Sequence, residues 1–323
     1  MSLKTVSRVV NAEPHVSADL DARVRRAIAE LNYRPDRRAR DLAATSAGRL
    51  IGFVQADAAN PFFALVHRGL EDATCERGVL VLSGSTDADP GREATLVETL
   101  IEFRVEGLVI AVAEGSDDLL LREIDEGTPV VCVDRLLPGT PCDVVVSDNR
   151  SSTRAAVTHL HKIGHRRIAF LGGDQAVWTA RERLGGYREA LHEAGSGPDA
   201  GLEIVDVGDV ARAAEATQRL LAGVRPPTAI FAAQDRITIG AVAALHDLGL
   251  HHEIALFGFD EIPFAEQLSP SVAVIAQDPY EMGRRAGQLL LDRMSGGPRR
   301  ETSRTVVDAP LRYRQSGDIK PPH

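Results

Sequence analysis

Cysteine is scarce in this 323-residue chain: only Cys75, Cys132 and Cys142 occur, without the spacing of a zinc site or a disulfide framework. Such sparse use points to a reducing cytoplasm. No apolar run approaches the ~18 residues of a membrane span, and the start MSLKTVSRVV has no basic segment followed by a hydrophobic stretch. Membrane insertion and secretion are therefore disfavoured. Also missing are GxxxxGK[ST], GxGxxG after a strand and GxSxG, the local signatures of nucleotide hydrolysis, dinucleotide binding and hydrolase chemistry. His159, His161 and His165 lie close together, but their spacing points the side chains apart and does not favour a metal site. No enzyme activity and no cofactor are expected.

The composition is that of an ordinary globular protein, 44% apolar and 26% charged, and the length suggests about two cores. The formal charge of −9 is uneven. Residues 1–49 hold ten Lys/Arg against six Asp/Glu, or +4, which leaves 27 against 40, or −13, for the remainder. A basic arm on an acidic body fits contact with nucleic acid or another anionic surface, although a solvated helix face has the same composition.

From Leu50 onward short apolar runs alternate with helical patterns: LIGFVQA (50–56), VLVLSGS (79–85), GLVIAVA (107–113), TPVVCVD (128–134) and DVVVS (143–147), then RRIAFLG (166–172), LEIVDV (202–207), TAIFAA (228–233), IALFGF (254–259) and SVAVIAQ (271–277). Apolar runs separated by helices predict parallel strands covered on both faces. The expected fold is α/β, two doubly wound lobes split near 148–150. A further helix over 279–295 and a strand over 304–309 precede a polar tail. Before Leu50 there is no strand pattern. Ser17 is placed to cap a helix with Leu20, Val24, Ile28 and Leu31 on one face, Pro35 ends it, and DRRARDLAAT (36–45) carries one apolar tooth, Leu42.

Ligands of open α/β sheets lie outside the carboxyl ends of the strands. Those ends carry Asn60-Pro61-Phe62-Phe63, Asp134-Arg135, Gln234-Asp235, Phe259-Asp260 and Gln277, and Arg181 and Arg183 open the helix after strand six. Carboxylates and guanidinium forks can grip vicinal hydroxyls while aromatic planes support a sugar ring. Two of these positions have a purely local alternative: Asn60 before Pro61 and Asp235 are good helix caps.

TVSRVVN (5–11), VSADLDARVRRAIAELNYRPDRRARDL (16–42), the NPFF run, KIGHRRIAFLGG (162–173), TARERLGGY (179–187) and ALFGFDEIP (255–263) together resemble the lactose-repressor/galactose-repressor family of bacterial transcription regulators, in the family's order along essentially the whole chain. The resemblance implies a helix-turn-helix headpiece, a hinge helix and an effector core similar to periplasmic ribose-binding proteins. Accordingly, residues 1–34 are expected to be a partial headpiece, 35–49 the hinge, 50–149 plus 278–306 one lobe and 150–277 plus 307–323 the other. TVSRVVN becomes the recognition helix, with Thr5 and Ser7 on phosphates and Arg8 on a base edge. Arg40 and Leu42 fall in the hinge, where the leucine wedges into the minor groove; Asp41 departs from the small polar residue usual there. The first headpiece helix and turn of the family have no counterpart before Thr5, so this chain itself is expected to bind operator DNA poorly.

For the effector, the resemblance selects Asn60, Phe62, Phe63, Asp134, Arg135, Asp148, Arg183, Phe259, Asp260 and Gln277. Gln234 stands where the family has Asn, and Trp178 is a further candidate ring platform. The implied partners are a small sugar, with a pentose as first guess, operator DNA and a second copy in a homodimer. A purine effector, a periplasmic sugar-binding protein, and a nucleoside hydrolase or sugar kinase are the competing readings. The hinge sequence opposes the second, and the missing phosphate loop and paired carboxylates oppose the last.

Overall fold

The computed structural model describes Val6, Val9 and residues 17–30, 49–113, 117–136, 139–197, 199–295 and 301–322. The chain divides into two compact units, Met1–Arg49 and Leu50–His323. In the first, α1 (Ala18–Glu30) carries Asp19 and Asp21 in its opening turn, where carboxylates suit the helix dipole, and buries Val24. Thr5, Ser7, Arg8, Arg40 and Leu42 lie outside the described residues.

The second unit is built on two six-stranded sheets. β1 (Leu50–Gln55), β2 (Leu80–Ser85), β3 (Leu108–Ile110), β4 (Val130–Val133), β5 (Asp143–Ser147) and β11 (Arg304–Val307) form one, in the order β11-β5-β4-β3-β1-β2. The other comprises β6 (Ile168–Leu171), β7 (Glu203–Ile204), β8 (Ala229–Ala232), β9 (Ala255–Phe259), β10 (Ala273–Ile275) and β12 (Leu311–Arg312), in the order β12-β10-β9-β8-β6-β7. The two orders correspond strand for strand, so β4 matches β9, and β5 matches β10.

Helices cover both faces of each sheet. α2 (Pro61–Cys75) and α9 (Pro279–Met294) share one face of the first sheet, with α3 (Pro90–Glu102) and α4 (Asp117–Glu126) opposite. On the second, α5 (Asn149–Lys162) and α6 (Trp178–Glu193) face α7 (Val210–Leu221) and α8 (Asp235–Asp247) across the strands. This double coverage explains the uninterrupted apolar runs: all of β4, β8 and β9 are buried. Asn60-Pro61, Asp89-Pro90 and Asp278-Pro279 each place a side-chain acceptor at the N-cap and proline in the first turn.

The chain passes between lobes at 148, at 276–278 and at 308–310. Two expectations need correction. Val307 pairs with Ser147, so the first sheet runs one residue past the boundary drawn at 306. The tail joins the second lobe, but Leu311 and Arg312 pair antiparallel with Ile275 and Val274, so that sheet is mixed where parallel strands alone were expected. Ser316 Oγ donates to Leu256 O, and His165, buried, spends its two ring nitrogens on Thr228 Oγ1 and Ile319 O, at 2.8 Å each. Polar residues can tie down this segment because the sheet edge offers them backbone partners.

Candidate functional site

Asp134 and Asp260 occupy matching turns at the ends of β4 and β9. Both adopt positive φ, 67° and 75°, which Asp tolerates better than most residues. In both the backbone N–H donates to the neighbouring strand at 2.9 Å, Asp134 to Val145 O and Asp260 to Ile275 O. The two lobes therefore present one carboxylate each from the same kind of turn.

Between them lies Arg183, 4% exposed. Its Nε donates to Asn149 Oδ1 at 2.7 Å and its Nη1 to Ala233 O at 2.7 Å, while Cζ sits 3.7 Å above the buried Phe259 ring. The Asp260 carboxylate is 4.0 Å from Nη1. Burial pulls the guanidinium pKa down, opposed by Asp260, Asp134 and Asp235, so all three carboxylates act on this cation. Burial likewise raises the Asp134 carboxyl, against the pull of Arg135 and Arg183. Asp260 is pushed up to about 6 by burial, despite Arg183 and the hydrogen bond from Gln277 Nε2.

Several polar atoms here lack hydrogen-bond partners among the described residues: Arg135 Nε and Nη1, although Nε is 3.6 Å from Asp134 Oδ2, and Gln277 Oε1. A buried polar group left without a partner costs about 1–3 kcal/mol. The site thus offers unmet donors, an unmet acceptor and two carboxylates that are only partly committed, from both lobes.

The structure gathers Asp134, Arg135, Arg183, Phe259, Asp260 and Gln277. Others have local roles. Asn60 Oδ1 caps α2 through Phe62 N at 2.9 Å, and Asp148 Oδ1 caps α5 through Ser151 N at 3.1 Å. Phe63 is buried in the first lobe's core, edge-on to Phe62 with ring centroids 5.1 Å apart. Trp178 is buried at the start of α6 with the Arg304 guanidinium 5.5 Å from its ring. Gln234, not Asp235, occupies the N-cap position of α8, and its amide packs against Gly173. The cap proposed for Asp235 is therefore incorrect: the residue is already in the first helical turn, where its charge faces Arg183.

Sequence reasoning missed Asn149, the buried amide that orients Arg183 and donates to Ser147 O at 3.1 Å. It also missed the pair Arg236 Nη2–Asp57 Oδ2, 2.6 Å across the lobes. All three residues lie just beyond strand ends, the signal that found the others. The pair is partly exposed and worth up to about 1 kcal/mol. Because it favours the lobe arrangement seen here, Asp57→Asn or Arg236→Gln is expected to weaken a ligand held between the lobes in this arrangement by up to roughly fivefold, measured by calorimetric titration. The exchange Asp57→Arg with Arg236→Asp should restore affinity; equal affinity in all four proteins would remove the pair from any role in binding.

Among the described residues no helix is long and apolar enough to cross a membrane. Residues 1–36 match the model of bacterial regulatory proteins of the lacI family, and residues 157–317 that of a periplasmic binding protein-like domain. The HTH-type transcriptional repressor CytR of Escherichia coli (strain K12) is 31% identical over 300 residues, covering 92% of this chain and 87% of the relative. The ribose operon repressor of the same organism is also 31% identical over 300 residues, covering 91% and 90%. Among solved structures, the lac repressor dimer bound to operator and the anti-inducer ONPF aligns with a TM-score of 0.81 at 28% identity, over 98% of this chain and 96% of that one. Similarity over nine-tenths of the chain and the match of its first residues to the family model agree: this chain belongs to the lacI family of bacterial regulatory proteins.

Proposed function

We propose that the protein is a cytoplasmic, homodimeric transcriptional repressor whose operator affinity is set by a small sugar, a pentose as first choice, bound between the lobes and acting as inducer. It binds this effector without turning it over. The observation that carries the reading is the set of unmatched polar atoms at Arg135 and Gln277 beside Asp134 and Asp260. A hydroxyl both donates and accepts, so vicinal hydroxyls can donate hydrogen bonds to the carboxylates and accept them from the guanidinium. The relative that represses a ribose operon supports a pentose. Sugar binding can move the lobes only through its differential affinity for two arrangements, and complete switching needs on the order of 5 kcal/mol.

The test is a thermal-shift screen of D-ribose, other pentoses, hexoses and purines. At 100 times its dissociation constant, the effector stabilises by about 2.7 kcal/mol. A shift by a purine and by none of the sugars would overturn the effector assignment.

Asp260 also predicts a pH dependence. Its proton persists in the fold up to about pH 6 but leaves the unfolded chain near 3.8. Its contribution to stability is therefore fully present below about 3.8 and lost as pH rises through about 6. Sugar affinity runs the other way, because the ionised carboxylate is the better hydroxyl acceptor. It should rise roughly tenfold between pH 5 and pH 7. Asp260→Asn should flatten the profile and Asp260→Ala abolish the sugar response while leaving the fold intact. An Asp260→Ala protein that keeps its affinity would remove the residue from the site.

A further inference from the structure

Cys132, in β4, and Cys142, just before β5, place their sulfurs 3.2 Å apart in the interior of the first lobe. They are ten positions apart in sequence, and Asp134 and Arg135 lie between them. β4 and β5 run side by side with Val131 opposite Asp143 and Cys132 opposite Val144, so Cys142 stands one residue ahead of the ladder and its thiol meets that of Cys132 on a diagonal. A link at this point would close a covalent loop around two residues of the effector site.

We propose that Cys132 and Cys142 are a dithiol that hydrogen peroxide converts to a disulfide, and that the link resets the Asp134–Arg135 turn. Cys142 is the first to react: it is 7% exposed against 0% for Cys132. The hydrogen bond from Cys132 also holds its pKa below the ordinary thiol value, against burial and the nearby Asp143. The Cys142 thiolate attacks one peroxide oxygen, the O–O bond breaks, and the other oxygen leaves as hydroxide and takes up a proton. The Cys132 sulfur then attacks the resulting sulfenic acid, the S–O bond breaks, and a second water leaves. Two thiols lose two protons and two electrons in all, and one peroxide becomes two waters.

Bond formation draws the sulfurs together by about 1.1 Å to a bonded separation of roughly 2.05 Å. That movement bears on β4 two residues before Asp134, whose N–H is held by Val145 O, and three before Arg135, whose N–H is held by Val133 O. The consequence for sugar binding rests on the function proposed above; the chemistry and the movement of the turn do not.

The experiment uses the Cys75→Ser chain, which removes the exposed thiol. Under hydrogen peroxide its mass should fall by two hydrogens, a digest should yield a peptide joining Cys132 to Cys142, and dithiothreitol should reverse both. Hydrogen exchange at the Asp134 and Arg135 amides should change by roughly fivefold or more on oxidation. Affinity for D-ribose should fall roughly tenfold, an ordinary coupling between two sites. Cys132→Ala and Cys142→Ala should each prevent the mass loss while retaining a cooperative thermal transition. An unchanged mass at a dose that oxidises Cys75 in the parent chain, or added oxygen without the linked peptide, would overturn the dithiol. A link that leaves amide exchange unchanged would overturn its coupling to the turn. If the reduced protein ignores D-ribose, that sugar assignment fails alone, because mass and exchange still decide the dithiol.

Discussion

Gly283→Ala is expected to cost at least about 3 kcal/mol in unfolding free energy, measured by urea denaturation, or to leave the chain insoluble. A Cβ at Gly283 would fall onto the Val66 carbonyl oxygen and within 3.0 Å of Leu70 N. From the other side, a Cβ at Gly69 would fall onto the Tyr280 carbonyl oxygen and within 2.9 Å of Arg284 N. The backbones of α2 and α9 thus touch through two glycines, and neither helix can yield without parting the layer of Val66, Leu70, Met282, Ala286 and Leu290. The gain of up to about 1 kcal/mol from replacing a helical glycine by alanine cannot offset that separation. α9 is the late segment that returns the chain to the first lobe after the crossing at 276–278. Gly186, where a Cβ would fall onto Arg150 O, repeats the device between α6 and α5 in the second lobe. Exposed Gly208 has nothing within 4 Å, and Gly208→Ala should stay within about 0.5 kcal/mol of the parent. A Gly283→Ala protein as stable as the Gly208→Ala control would refute backbone contact as the constraint.

The sheets were legible because their strands are buried on both faces: TAIFAA or TPVVCVD reads as a core strand without knowledge of its neighbours. β12 was not, since two residues set no period and Leu311 becomes a strand only by pairing with Ile275, far back in the chain. The site divides in the same way. Asp134, Asp260 and Gln277 stand just beyond strand ends, where position alone points to a ligand, and Arg183 lies in the second turn of α6, which follows β6. The role of Asn149 depends on Arg183, 34 residues later, and that of Arg236 on Asp57, 179 residues earlier. Asn60 and Asp148 illustrate the opposite difficulty, because a good cap and a good ligand group are the same side chain. The resemblance selected both, while their observed hydrogen bonds are local.

Replacing Arg183 by methionine should abolish the sugar response, with affinity falling more than roughly 100-fold, an effect of about 3 kcal/mol, and should destabilise the protein by about 3–5 kcal/mol at pH 7. Methionine keeps much of the stem's length but leaves Asn149 Oδ1 and Ala233 O without their donor, Asp260 without its nearest cation, and Asp134 with Arg135 alone. The fold already holds the Asp260 proton up to about pH 6 and raises Asp134 as well. Without the guanidinium both should rise further, so protonation relieves the unpaired charge as pH falls. The stability cost of Arg183→Met should therefore shrink by roughly half between pH 7 and pH 5. Arg183→Lys separates charge from geometry: its ammonium answers the carboxylates, but it cannot place two N–H groups on Asn149 and Ala233 while lying flat on Phe259. It should recover most of the stability while remaining at least roughly tenfold weaker for the sugar. Urea melts at the two pH values and titration with D-ribose test both parts. A methionine variant whose stability cost is the same at pH 5 and pH 7 would contradict the charge argument, and a lysine variant with parental affinity would contradict the requirement for the fork.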